Sequence, residues 1–308
     1  MKIAITGSQG LIGRVLVACC PAAGHEVVTL VRDPAEATSP DRCWWDPARG
    51  IQQPEKLHGI QAVVHLAGRS IADHRWTAAE KDRLRESRVA ATASLCRDLA
   101  RLPHPPQVFL SASAVGFYGD CGGELVDEQT PAGSGFLAEM AQAWENASEI
   151  LDSVGTRRVL ARFGIVLSAQ GGALAKMLPI FRWGLGANLG HGQQYWSWIT
   201  RPDATRALLG LLESDQARGP YNIVSPTPVT NAEFTRTLAR VLHRPRCLPV
   251  PAWVLRLLMG EMADAALLAS CRAVPSRLLA LGCDFQHREL EPALLDALAA
   301  KQSHAAAG

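Results

Sequence analysis

Thr6-Gly7-Ser8-Gln9-Gly10-Leu11-Ile12-Gly13 is the stretch whose reading decides the fold. It follows the apolar run of residues 2–6, which reads as a strand. It opens a helix expected over residues 11–23, with Leu11, Ile12, Val15 and Leu16 on one face. Residues 26–31 form the next apolar strand, and the three segments make a βαβ unit. Each glycine has its own mechanical reason. Gly7 permits the tight turn out of the strand, Gly10 lets backbone approach a pyrophosphate, and Gly13 lets the helix pack closely on the sheet. A helix N-terminus at this point adds N–H groups and partial positive charge for phosphates. Alone, such a triplet can be only a tight strand-to-helix turn. Between a first strand and a first helix it predicts a dinucleotide site.

The second strand ends Leu30-Val31-Arg32-Asp33. Here an acidic side chain accepts bonds from the adenosine ribose, or an arginine meets a 2′-phosphate. Arg32 comes first after the apolar run, which favours NADP over NAD. The alternative is a solvated Arg32 with Asp33 starting a turn at Pro34. Further on, residues 62–66 read as a buried strand, 77–102 as a long amphipathic helix, 108–111 as a strand, and 158–167 as another. Apolar strands separated by helices imply a parallel sheet covered on both faces. The expected class is therefore α/β: a Rossmann doubly wound parallel sheet with a smaller, mostly helical C-terminal substrate domain. The expected domains are residues 1–167 and 168–308, with residues 195–225 packing back on the Rossmann sheet. Pro202 suits the first turn of a helix ending at Glu213, and Thr230 with Glu233 is spaced as a capping box. Residues 303–308 read as a disordered tail.

The chain has 308 residues, 48% of them hydrophobic, enough for a well-buried core. Its 31 basic and 29 acidic residues are scattered and give a net charge of +2, so no nucleic-acid or anionic-membrane footprint is expected. No secretory signal or spanning segment is read, so the expected location is cytoplasmic. The eight cysteines include no C-x-x-C pair and read as reduced, mostly buried thiols rather than a metal site. The expected partner is a small-molecule substrate between the two domains, and a homodimer is left open.

With the glycine loop, His65-Leu66-Ala67-Gly68 and Ser111-Ala112-Ser113, the sequence resembles the extended short-chain dehydrogenase/reductases. Asp203 matches an Asp usual in that family. More closely, the chain is similar to an atypical branch of epimerase family proteins, some of them called cell-division-inhibitor homologues. The motifs that carry this are Trp45-Asp46-Pro47, Arg75-Trp76-Thr77, the run from Ser113 to Gly119, Trp144-Glu145, Gly190-x-Gly192-x-Gln194 and Gly260-Glu261-Met262. The resemblance implies an NAD(P)-binding protein whose usual catalytic groups are a Ser and a Tyr followed four residues later by a Lys. Here Phe136 and Met140 fall where the Tyr and Lys would stand, so the usual acid/base is absent.

Ser113 and Tyr118 are the candidate catalytic residues, Tyr118 having an alternative as a packed aromatic. The candidate cofactor-binding set is Thr6, Gly7, Gln9, Gly10, Leu11, Ile12, Gly13, Arg32, His65, Ala67, Gly68 and Arg162, with no metal. His65, at a strand end near the expected cofactor ribose, reads more readily as a hydrogen-bonded structural histidine than as a catalytic one. Arg75 and Trp76 could hold an anionic or ring-bearing substrate or merely start a helix. The aromatic run from Gln194 to Trp198 could stack on a flat ligand or pack internally. Two functions stay open: an NADP-dependent epimerase-like oxidoreductase, or an NADP(H)-binding sensor that has lost its chemistry.

Overall fold

A computed structural model describes residues 1–305 of the chain. The strands in chain order are β1 (Lys2–Thr6), β2 (Glu26–Val31), β3 (Arg42–Asp46), β4 (Gly50–Ile51), β5 (Ala62–His65), β6 (Val108–Ala114) and β7 (Leu125–Val126). They continue with β8 (Arg157–Phe163), β9 (Ile165–Leu167), β10 (Tyr195–Trp196), β11 (Trp198–Thr200), β12 (Gly219–Ile223), β13 (Val229–Thr230) and β14 (Arg272–Ala273). Eight of them form one sheet in the order β12-β8-β6-β5-β1-β2-β3-β4. Around β1 the pairing is parallel, with Ile3 opposite both Val27 and Ala62, and Ala62 opposite Val108. β1 is followed by β2 and β3 on one side, while β5 and β6 build outward on the other. The carboxyl ends of β1 and β5 are therefore the point where the strand order reverses, the ligand-binding edge of such sheets.

The chain divides into two compact units, one of residues 1–113, 140–161 and 208–221, the other of residues 114–139, 162–207 and 222–308. The first unit's core gathers Ala4, Val28, Val63 and Phe109 from the sheet with Leu95, Cys96 and Leu99 from the helix Ala91–Ala100. The second has its own core, built from Leu174, Leu178, Trp196, Trp198, Phe234 and Leu294. Burying side chains of this size contributes about 1.5–3 kcal/mol each. All eight cysteines are free thiols, and only Cys247 is exposed. Among the described residues no helix is long and apolar enough to cross a membrane.

Local chemistry adjusts several expected elements. The first helix is Gly13–Cys19 and passes into a 3-10 turn at Pro21–Ala23, closed by Gly24. The long helix begins where Thr77 accepts a bond from the N–H of Glu80, but a wide π-type turn at Glu86–Ala90 divides it into Ala78–Arg85 and Ala91–Ala100. The strand expected over 158–167 is two strands broken at Gly164. A Cβ there would lie 2.5 Å from the Ser197 carbonyl oxygen, so only glycine lets the chain pass from β8 in the large sheet to β9 beside β11. Thr230 caps the helix Asn231–Val241 as its spacing predicts, accepting from the N–H of Glu233. The last helix, Leu290–Ala305, covers the start of the expected tail, and residues 306–308 lie outside the described residues.

Candidate active site

Gly7 leaves β1 with φ +67°, and a Cβ on it would come within 2.8 Å of the Ala67 nitrogen, so the turns after β1 and β5 touch here. Gly13 is held even more tightly. Its Cβ would lie 2.2 Å from the Gly7 carbonyl oxygen, so its closest constraint is the loop itself rather than the sheet behind the helix. Gly10 donates its N–H to that carbonyl at 2.9 Å, and a Cβ on Gly10 would lie 3.0 Å from the same oxygen and meet nothing else within 4 Å. The space above Gly10 is open, and no group in the described chain accepts from the N–H of Leu11 or Ile12. A concave backbone with open donors at the sheet's ligand edge fits a pyrophosphate.

At the end of β2, the Asp33 carboxylate accepts the N–H of Ala35 at 2.9 Å and caps the short turn Pro34–Glu36. Asp33 does start the turn at Pro34. Arg32 is exposed, and among the described residues no carboxylate pairs with it. One oxygen of the acid is engaged by backbone, and the guanidinium is available.

His65, at the end of β5, has no exposed surface. Its Nδ1 lies 2.8 Å from the Thr6 hydroxyl and its Nε2 3.0 Å from that of Thr92. The Thr6 oxygen already accepts the N–H groups of Leu66 and Ala67, so its own proton goes to Nδ1. The imidazole therefore carries its hydrogen on Nε2 and donates to Thr92, which also accepts from the Trp144 indole at 3.0 Å. Burial pulls the His65 pKa from 6.5 to about 4, so the ring is neutral. The edges of Trp45 and the face of Phe109 complete its surroundings. Both ring nitrogens are engaged within the unit, and the residue ties β1, β5 and two helices together.

The same unit holds the pair that the sequence did not single out. The Ser113 hydroxyl, at the end of β6, donates to the Glu145 carboxylate at 2.6 Å, and both side chains are buried. Glu145 comes from the helix Phe136–Asn146, which carries Phe136 and Met140 as buried apolar side chains. One signal was present: Glu145 is the only acidic residue on the buried face of that helix, one position after Trp144. Beside Trp144, the Arg88 guanidinium lies 5.3 Å from the indole ring and donates to the Arg69 carbonyl at 2.7 Å. Gly68 sits against it, since a Cβ there would be 3.7 Å from the Arg88 Cζ. Burial lowers the Arg88 pKa to about 10, which still leaves it charged. Arg88 is thus a buried cation beside the turn after β5, held in the wide π-type turn.

In the second unit, the Tyr118 hydroxyl donates to Asn222 Oδ1 at 2.8 Å and accepts from the Arg162 guanidinium at 3.0 Å. Arg162 lies flat on the Phe117 ring, 3.5 Å from its centroid. Burial raises the Tyr118 pKa to about 12, so the phenol keeps its proton at neutral pH and spends it on Asn222. That is the environment of a packed, bonded aromatic. The aromatic run packs inward: Trp196 and Trp198 lie in the core, and the Trp198 indole donates to the Thr227 carbonyl at 2.9 Å. Gln194 donates to the carbonyls of Leu189 and Leu267. Asp203 is also internal, accepting from Thr200 and from the N–H groups of Gln286 and His287. In the first unit Trp76 is buried with its indole on the Ile71 carbonyl, while Arg75 is exposed.

Comparison with known proteins gives this geometry a family. The chain is 44% identical to an epimerase family protein of Mycobacterium bovis over 95% of this chain and 96% of that protein. It is 33% identical to the human epimerase family protein SDR39U1, over 97% of this chain and 100% of that protein. The crystal structure of human SDR39U1 (isoform 2) with NADPH superposes with a TM-score of 0.86 at 31% identity, covering 96% of this chain and 99% of that one. Residues 250–297 match a domain of unknown function, DUF1731. Residues 3–224 match the model of the NAD dependent epimerase/dehydratase family, and the chain belongs to that family.

Proposed function

We propose that this protein binds NADP(H) on the glycine loop and acts as an epimerase-like oxidoreductase on a small molecule. The observation that carries the cofactor reading is the open cradle above Gly10, beside an unpaired Arg32 and an Asp33 already engaged as a cap. The crystallised human relative holds NADPH, which supports the same choice. In this reading Gly7, Gln9, Gly10, Leu11, Ile12 and Gly13 hold the pyrophosphate and Arg32 pairs with the 2′-phosphate. Thr6, Ala67 and Gly68 shape the remaining site, and His65 holds Thr6 in place through its hydroxyl. When bound, the nicotinamide supplies a hydride donor or acceptor. The protein's own contribution is Ser113. Its proton points to Glu145, so its oxygen lone pairs remain to receive a substrate hydroxyl, and the carboxylate can take up the proton that is passed.

A second reading, a cofactor-dependent sensor without turnover, is favoured by one specific observation: Tyr118 is buried and doubly bonded, and no Tyr-Lys pair replaces it. Two measurements decide. Titrating NADPH and NADH against wild type and Arg32→Ala should give a preference for NADPH of roughly 10- to 100-fold that Arg32→Ala removes, since a charge-assisted pair contributes about 1.5–3 kcal/mol. Equal affinities in wild type would refute the NADP assignment. NADPH consumption with a panel of carbonyl compounds separates enzyme from sensor, because loss in Ser113→Ala marks the enzyme and silence across the panel marks the sensor.

A further inference from the structure

The second unit exposes large apolar side chains that its core does not use. Trp183 is 83% exposed and Leu248 87%, and Leu185, Trp253, Leu257 and Leu258 are each more than half exposed. They belong to one region. Gly186 pairs with Arg246 and Leu189 with Val250 in parallel bridges, and Cys247 donates its N–H to the Gly186 carbonyl at 2.8 Å. Pro251 then starts the helix Ala252–Met259, which buries only Leu255 and leaves Trp253, Arg256, Leu257 and Leu258 outside. Trp183 directly follows the helix Gly172–Arg182.

The charge of this region is one-sided. Residues 172–189 and 243–260 contain Lys176, Arg182, Arg244, Arg246 and Arg256, and neither Asp nor Glu. Arg256 pairs with Asp264, but among the described residues no carboxylate pairs with Arg182, Arg244 or Arg246. The net charge of +2 conceals this concentration, which is why composition gave no sign of it. A second copy docked about a two-fold axis would set arginine against arginine, which opposes a homodimer through this face. Projecting tryptophans and leucines among unpaired guanidiniums suit a different occupant. Indole rings settle at the headgroup level of a bilayer, leucines enter the acyl boundary, and guanidiniums meet lipid phosphates. We infer that this face docks the protein on an anionic lipid surface.

The test is co-sedimentation with vesicles of phosphatidylcholine alone and of phosphatidylcholine with about one-third phosphatidylglycerol. The protein should partition onto the anionic vesicles, not onto phosphatidylcholine alone, and raised salt should release it. Each basic side chain near an anionic surface is worth about fivefold in partition, so Arg182→Gln, Arg244→Gln and Arg246→Gln together should weaken it about 100-fold. Trp183→Ser with Trp253→Ser should also weaken it, with both variants keeping the wild-type unfolding midpoint. Three results would overturn the proposal: no preference for anionic vesicles, variants that bind like wild type, or a wild-type dimer in sedimentation velocity that the tryptophan variant dissociates. The last would assign the face to a second copy, and capture only by an acidic protein, with no vesicle binding, would assign it to a protein partner.

Discussion

Lowering the pH should destabilise the fold through His65 by a calculable amount. The ring is fully buried, accepts the Thr6 proton on Nδ1 and donates from Nε2 to Thr92, so a second proton has no place to bind without breaking the chain. Its pKa falls from 6.5 in the unfolded chain to about 4 in the folded one. Above pH 6.5 both states are neutral and the full stability is present. As the pH falls toward 4, the unfolded chain takes up a proton that the folded one refuses, and stability is lost. Integrating the difference gives a loss of about 2 kcal/mol by pH 5 and about 3 kcal/mol once both forms are protonated. Urea unfolding at pH 7.5 and pH 5 measures it, with His65→Gln as the reference in which every other titrating group is retained. The variant should be less stable at pH 7.5 and should lose about 2 kcal/mol less on acidification. Equal acid losses in the two proteins would refute the buried neutral ring, and a ring nitrogen spectrum with the hydrogen on Nδ1 would refute the bonding order.

Gly10→Val should abolish the thermal shift given by NADPH, because the added atoms fill the open cradle, while the fold persists with a modest loss from the 3.0 Å approach to the Gly7 carbonyl oxygen; a normal shift would remove the cofactor site from this loop. Glu145→Ala should destabilise by about 1–3 kcal/mol by stranding the Ser113 hydroxyl, and Glu145→Gln, which retains an acceptor, by clearly less. Equal losses would mean that the Ser113 bond contributes nothing. Tyr118→Phe should lower stability by about 1–3 kcal/mol, as the buried Asn222 and Arg162 lose a partner, while any NADPH-dependent turnover persists. Loss of turnover at unchanged stability would make Tyr118 the proton-transfer group.

The parts of the fold written in local chemistry were legible. Continuous apolar runs gave β1, β2, β5 and β6, the glycine spacing gave the turn at Gly7, and Thr230 with Glu233 gave a helix start. What escaped depends on contacts between distant residues. Gly164 looks like any strand residue until the Ser197 carbonyl is found 2.5 Å from where its Cβ would stand. The π-type turn at Glu86–Ala90 leaves no mark in a helical pattern. Ser113 and Glu145 stand 32 residues apart and meet only because β6 and the following helix are laid side by side. Trp196 and Trp198 offered stacking faces as readily as core volume, and packing against Phe234 used them as core.

The cap at Asp33 bears on the proposed preference for the phosphorylated cofactor and on any attempt to reverse it. In the proposed reading, substituting Arg32 alone removes an attraction and leaves Asp33 with one oxygen on the Ala35 N–H, so it could meet a ribose only through its other oxygen. Ala35→Pro would remove that N–H, but a proline at the third position of the turn also forces Pro34 out of its helical conformation, so freeing Asp33 means rebuilding the turn rather than cutting one bond.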